Sequence, residues 1–416
     1  MKTRSNIFQY IYSTLTLIVD RAVKKYPERK WMFEVQKLYW QSVYEAHEKG
    51  IPLILHAPPF PPELIYAFGA VPICLDSLAP RLASLEIGVG AYVDIAQRYV
   101  PDHLCTINKT GIGVALSGDM PKPDALIYAA TPCDSARIAY PLIAEHLGVP
   151  HFCIDTPYEQ NERGYEYIGN EMRQVASFLE GVISRKLDWN RLVEVIEYSN
   201  QGYELIRQIA ELRKVTPCPL PSRLLVLNQI FGIMTGSPEV VEFLRTEYEI
   251  GKEKVQRKEG HLVDEKFRVA WIQNPIWFDV GIYDWMEKEY GAIVTMDAFG
   301  FQKSLPIDDP WNEKEVFSGL GKRLLRQPMI HGSSGPTEFW MESVAEIIRE
   351  YKCNAAIFAG HVGCKHTWAV GKLIKDMISD QFEIPTLVFD LDALDPRYRG
   401  SESIKSRIKD FFEIIQ

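Results

Sequence analysis

Long apolar runs are missing from this 416-residue chain. No stretch reaches the roughly 18–20 consecutive apolar residues that cross a bilayer, so a membrane-spanning helix is excluded. The nearest candidate, Ile7 to Val19, follows basic residues as a secretory signal would, but no A-x-A-like cleavage site comes after it. Its neighbourhood also repeats Ile7, Ile11, Leu15, Ile18 and Ala22 at helical spacing, which predicts an amphipathic helix packed on the body. A basic block is missing too. The 46 Lys and Arg stand against 55 Asp and Glu, leaving a formal charge of −9, and nothing clusters the positive residues as nucleic-acid binding requires.

Cysteine is sparse and unpaired in pattern. Seven cysteines, an odd number, are scattered without any C-x-x-C pair, which excludes a disulfide framework and a zinc-finger-like site and predicts a reducing, cytoplasmic setting. Phosphate loops are absent. Thr110-Gly111-Ile112-Gly113 lacks both G-x-G-x-x-G and a Gly-Lys-Ser/Thr ending, so no ATP site is expected. His331-Gly332-Ser333-Ser334-Gly335 is not G-x-S-x-G, and serine-hydrolase chemistry has no support.

What is present is a well-packed globule, 46% hydrophobic and 12% aromatic. The length exceeds one ordinary core, so two or three domains are expected. Ser5 to Lys49 reads as helical. Short β-rich runs then alternate with amphipathic segments: Ile51–His56, Val71–Leu75, Ala125–Ala129 and His151–Ile154. From Tyr165 to about Glu259 the strand signal vanishes into helical patterns, punctuated by Pro217, Pro219 and Pro221. A second series follows at Arg268–Ile272, Ile293–Met296, Ala355–Phe358 and Thr386–Phe389, and Pro306–Leu325 reads as an irregular connection. The last helix is expected at Ser403–Ile415. This rhythm predicts an α/β chain with two doubly wound, flavodoxin- or Rossmann-like parallel-sheet domains. The expected divisions are an N-terminal helical segment (1–50), a first α/β domain (51–164), a helical insert (165–262) and a second α/β domain (263–416).

Chemistry concentrates at strand ends. In Phe358-Ala359-Gly360-His361-Val362-Gly363-Cys364-Lys365-His366, a cysteine lies between a strand and a helix start, where open α/β sheets gather ligands and helix N–H groups favour a thiolate. Cys133, in Ala130-Thr131-Pro132-Cys133-Asp134-Ser135, follows the strand Ala125–Ala129, and Asp134 and Ser135 are able to cap the next helix. Cys105 lies before Gly111 and Gly113, small residues that permit close approach. Three thiolates suit an iron–sulfur cluster, with one iron left open. From spacing alone the other reading stands beside it, that buried cysteines act as small hydrophobes. Cys74, Cys153, Cys218 and Cys353 are read as structural.

Pieces running nearly end to end carry a family resemblance. They are Phe60-Pro61-Pro62-Glu63-Leu64-Ile65 with Gly69-Ala70-Val71-Pro72, Leu104-Cys105, Pro123-Asp124-Ala125 leading to Thr131-Pro132-Cys133-Asp134, Ile154-Asp155-Thr156-Pro157-Tyr158, His361-Val362-Gly363-Cys364-Lys365, and Phe389-Asp390-Leu391-Asp392-Ala393-Leu394-Asp395-Pro396-Arg397. In their order, with a cysteine at each of three expected places, they make the chain resemble the iron–sulfur subunits of the 2-hydroxyacyl-CoA dehydratase and benzoyl-CoA reductase family. The resemblance implies a [4Fe–4S] cluster on Cys105, Cys133 and Cys364, with one iron available to an acyl-CoA thioester and one-electron, radical chemistry in an anaerobic setting. It also implies a homologous sister subunit, in a heterodimer or larger, and a separate ATP-dependent iron–sulfur activator protein. The activity implied is that of a dehydratase-type lyase or an aryl-CoA reductase, an oxidoreductase; a non-catalytic relay or scaffold subunit is the other alternative.

The turn after the first strand, where dehydratases of this family carry a small hydroxyl residue, here reads His56-Ala57-Pro58-Pro59. The acidic residue expected after the second strand is present as Asp76. Two histidines join the candidate catalytic set: His56, at a strand end, as a proton donor, and His361, as a hydrogen-bond donor to cluster sulfurs or substrate. Lys365 and His366 read as capping or solvating a helix start. Asp390, Asp392 and Asp395 read as helix caps, with a salt bridge to Arg397.

Overall fold

The computed structural model describes residues 6–58, 60–303 and 305–416. Ser5, where the N-terminal helical pattern begins, and Pro59, in the turn after the first strand, lie outside the described residues. Eight short strands form the frame of what is described. β1 (Leu53–His56), β2 (Val71–Cys74), β3 (Ala125–Ala129) and β4 (His151–Ile154) make one sheet, in the order β2-β1-β3-β4. β5 (Phe267–Ile272), β6 (Ala292–Asp297), β7 (Ala355–His361) and β8 (Thr386–Leu391) make the other, in the order β6-β5-β7-β8. Every pairing is parallel. Apolar runs this short, with no polar face, persist only when helices cover both sides.

Alternation assigns the two faces of the first sheet. Leu53 and Leu55 point into one core, while Ile54 between them points into the other, as the period of two demands. In each sheet the order of strands reverses beside the central one, between β1 and β3 and between β5 and β7. Such switch points open a crevice past the carboxyl ends of the strands.

Helices Ile7–Lys25 and Lys30–Lys49 precede the first sheet, and Glu162–Ile183, Trp189–Arg213 and Pro238–Gln256 lead from it to the second. The expected irregular connection over 306–325 is wrong. Residues Glu313–Arg326 form a helix capped by the Asn312 side chain, which accepts from Glu315 N. Lys and Glu disguise its apolar stripe, yet Val316, Leu320 and Leu324 are wholly buried, four residues apart on one face. That stripe packs in the core shared with Ile168 and Met172 of helix Glu162–Ile183.

β7 also runs three residues beyond the predicted Phe358, pairing Gly360 with Asp390 and His361 with Leu391. The extension puts His361 on a strand, with its direction set by the sheet. Gly111 and Gly113 lie inside helix Thr106–Leu116, where a Cβ on Gly113 would stand 2.0 Å from the Tyr92 carbonyl oxygen. They serve helix packing, Gly111 against Leu75 and Gly113 against Tyr92. Among the described residues no helix is long and apolar enough to cross a membrane.

Candidate functional site

Corresponding loops of the two sheets meet. Cys133 follows β3 and Cys364 follows β7, so each sits past the strand across the switch point of its own sheet. Cys105 immediately precedes helix Thr106–Leu116. Contacts tie the three loops together. The Cys105 backbone N–H donates to Ser135 Oγ at 3.1 Å. The Lys365 ammonium pairs with the Asp134 carboxylate, so the residue after one cysteine grips the residue after another. Lys365 stands part-exposed at a helix start, as expected of a capping or solvating residue, and its side chain also ties the two cysteine loops together. Thr106 Oγ1 donates to Asp392, joining the Cys105 helix to the loop after β8. Gly363 passes so near that a Cβ there would lie 2.6 Å from Cys105 Cα.

His361 is aimed by its backbone. Its N–H donates to Gln273 Oε1 at 2.7 Å, and the Ala393 N–H donates to its ring Nδ1 at 3.2 Å. A ring nitrogen that accepts carries no proton, so the proton of the neutral imidazole is on Nε2. Nε2 lies 3.3 Å from Cys105 Sγ and donates to it. Burial holds the histidine pKa below its usual value even though Asp392 opposes the shift. Cys133 has a donor of its own, Asn108 Nδ2, 3.6 Å from its sulfur.

The thiols repel ionisation. Burial raises Cys105 well above the ordinary thiol range, and Cys133, Asp76 and Cys364 add to the effect in that order. Cys133 is pushed up to about 12, by burial first and then by Asp76. Cys364 is raised as well, chiefly by burial, with Asp134 and Asp76 contributing. Each sulfur therefore lies within electrostatic reach of Asp76, and Cys105 within reach of both other sulfurs. Among the described residues, no three His, Cys, Asp or Glu side chains converge closely enough to hold a single metal ion. Three thiol sulfurs, two of them with a nearby hydrogen-bond donor, make a donor set of the chemistry that binds iron.

Asp76 connects this group to open space. It lines a cavity of about 880 Å³ together with Pro58, Phe60 and Ile107. Burial raises its carboxyl to about 7. His56 stands apart. Its ring is fully buried against Phe60, Nδ1 faces the Ala57 carbonyl at 3.2 Å, and Nε2 has no partner. Burial drops its pKa to about 4, so it is neutral, and no hydrogen bond joins it to the sulfurs among the described residues. The structure thus brings Cys105, Cys133, Cys364, His361 and Asp76 into one neighbourhood, and His56, paired in register with Cys74 and packed on the cavity-lining Phe60, borders it without a hydrogen bond to the sulfurs among the described residues.

Three supporting residues escape a reading of the sequence. Gln273, wholly buried, holds the His361 backbone and also donates to Thr367, and it does so with a φ of 90°, a conformation L-residues adopt only under tertiary constraint. Ser135 and Asn108 support Cys105 and Cys133. Only Asn108, three residues past a cysteine at a helix start, had a sequence signal to offer. Of the expectation for the acidic trio, the salt bridge is found, Asp395 to Arg397 at 2.7 Å. The expected helix cap is not: the last helix starts at Gly400 without a side-chain cap, Asp392 accepts from Leu394 N and Asp395 N in the loop, and Asp390, at the end of β8, pairs with Arg399.

Comparison with known proteins bears on this geometry. The family model described as 2-hydroxyglutaryl-CoA dehydratase, D-component, matches residues 59–415. A subunit of the benzoyl-CoA reductase of Thauera aromatica is 22% identical over 377 residues, covering 85% of this chain and 86% of that protein. The alpha subunit of lactoyl-CoA dehydratase from Anaerotignum propionicum is 20% identical, covering 90% of this chain and 93% of its own length. The (R)-phenyllactyl-CoA dehydratase alpha subunit of Clostridium sporogenes is 20% identical, with 95% and 97% covered.

Proposed function

Since the chain belongs to the 2-hydroxyglutaryl-CoA dehydratase D-component family, we propose that it is an iron–sulfur subunit that reduces a coenzyme A thioester by one electron. The observation that carries this reading is the meeting of three cysteine loops from both sheets, tied by the Cys105–Ser135, Lys365–Asp134 and His361–Cys105 contacts, with Asp76 in the cavity wall within electrostatic reach of the sulfurs. Cys105, Cys133 and Cys364 would hold a [4Fe–4S] cluster, and such a group supplies low-potential electrons that no side chain can deliver. The chain itself does the rest. Nε2 of His361 donates to the Cys105 sulfur and stabilises its charge. Asp76, poised near neutrality at the cavity wall, gives or takes a proton at the reacting end of the substrate. The apolar lining excludes water from that end.

The electron donor is a separate ATP-dependent iron–sulfur activator, which accords with the absence of a phosphate-loop motif in this sequence. The similar proteins are named as subunits, which supports a sister subunit of the same fold. Pro58 lines the cavity in the turn where a dehydratase carries a hydroxyl, and this favours an aryl- or acyl-CoA reductase over a dehydratase.

Anaerobic purification tests the reading. A brown protein with about four irons per chain, losing them on Cys133→Ser, is expected. A colourless, iron-free product after anaerobic reconstitution would count decisively against it.

A further inference from the structure

Among the described residues, the buried lysines and arginines are Lys109, Arg213, Arg268 and Arg323. The three arginines each face a carboxylate: Glu247 at 3.8 Å, Glu265 at 2.6 Å and Glu63 at 2.8 Å. Lys109 has no such partner. It is 5% exposed, its ammonium donates to the Asp102 carbonyl at 2.8 Å, and among the described residues no carboxylate lies within ion-pair distance of it. A buried charge is costly unless it is paired. The fold therefore holds here a cation whose anion it does not itself supply.

Position identifies the anion. Lys109 lies one turn into helix Thr106–Leu116, and its backbone N–H donates to the Cys105 carbonyl at 3.0 Å. Asp102, which accepts from its ammonium, precedes Cys105 by three residues. The Cys105 loop is thus bracketed by one lysine, and the neighbouring Asn108 is the donor facing Cys133 Sγ. The ammonium also reaches His361, whose pKa is lowered by burial first, against Asp392, with Lys109 adding to the lowering. That ring meets Cys105 Sγ at 3.3 Å. Asp392, 4.0 Å from His361 Nδ1, is already taken up by Thr106 Oγ1 and by the Leu394 and Asp395 N–H groups.

We propose that Lys109 is the counter-charge of the cluster on Cys105, Cys133 and Cys364, offsetting the negative charge of the thiolates and of the electron the cluster accepts. The proposal rests on the iron–sulfur reading and deepens it, because it assigns to one side chain how easily that site is reduced. Lys109 is a positioning residue that acts through space. No bond forms or breaks at it, and the electron comes from the activator. Net charge and burial are among the factors that set a cluster's potential. A desolvated ammonium beside a ligand loop acts through a low dielectric that salt screens little. Lys109 therefore makes reduction easier than thiolates alone would allow.

Redox titration of the anaerobically purified, iron-loaded protein tests this. Lys109→Gln removes the charge and keeps a donor for the Asp102 carbonyl. Its midpoint potential should move to a more negative value, and Lys109→Arg should restore the wild-type value. Urea unfolding of the loaded protein gives a second reading, since the loss in Lys109→Gln should be larger in the reduced state than in the oxidised state. A lysine that merely clamps the Cys105 loop would cost the same in both states and leave the potential unmoved. Lys109→Met stands in should the glutamine form fail to fold. Failure of both neutral forms to fold makes the lysine structural and overturns the proposal. An unchanged potential overturns the counter-charge while the iron–sulfur reading stands, and a wild-type protein that takes up no iron overturns both.

Discussion

The Ala393 N–H donates to Nδ1 of His361, and by doing so it decides what the far side of the ring can do: Nε2 must carry the proton, and that proton faces Cys105 Sγ. His361→Leu removes the donor while keeping the bulk apolar and the backbone bond to Gln273 available. It leaves the Ala393 N–H unpaired in the interior, a loss of about 1–3 kcal/mol in urea unfolding. In protein carrying a cluster, the midpoint potential should move to a more negative value, because a charged sulfur has lost a stabilising donor. A potential identical to wild type would remove His361 from this role.

Gly363→Ala should be far more damaging than an alanine at an ordinary loop glycine. Its Cβ would stand 2.6 Å from Cys105 Cα and 3.0 Å from His361 Nε2, and overpacking of this kind costs about 1–3 kcal/mol. Thermal unfolding measures the loss, and iron content reports whether the Cys105 loop has been displaced.

Two of the ion pairs that span distant parts of the chain should behave oppositely. Lys365 and Asp134 are each nearly half exposed, so Lys365→Ala should change stability by less than about 1 kcal/mol. Arg323 and Glu63 are 2% and 1% exposed, and the guanidinium also donates to Ser199 at 2.6 Å and the Leu305 carbonyl at 3.0 Å. Arg323→Ala strands the Glu63 carboxylate and should cost about 3–5 kcal/mol. Comparable losses for the two variants in chemical denaturation would refute the contrast.

Two buried groups give pH dependences of opposite sign. His56 has a folded pKa of about 4 against 6.5 in the unfolded chain. The stability it contributes is complete above pH 6.5 and drains away as the pH falls towards 4. Glu247, facing Arg213 at 3.8 Å in a fully buried pair, is raised by burial to about 7 from 4.5. Its contribution is complete below pH 4.5 and is lost as the pH rises through 7. Urea midpoints measured from pH 4.5 to 8 should therefore show the acid-side fall reduced in His56→Gln and the alkaline-side fall reduced in Glu247→Gln. Parallel curves for wild type and both variants would contradict the assignments.

Much of the frame was legible because strand and helix periods are local. Ala125–Ala129 and His151–Ile154 stand where their apolar runs predicted, since a run of that length flanked by breakers has few alternatives. Helix Glu313–Arg326 was misread because its stripe is narrow and its other faces are charged, so burial against helix Glu162–Ile183 outweighed the polar average. His361 was noticed from its place near Cys364. Its tautomer was not, because that depends on a backbone N–H from another strand's loop.

The residues alone determined which segments are strands, that the strands run parallel under helices, and which cysteines stand at strand ends, because backbone periodicity and turn chemistry act over a handful of neighbours. Only the tertiary structure decided that those cysteines, with His361 and Asp76, share one neighbourhood. Contact and charge act through space, and a sequence does not record the distances across which they act.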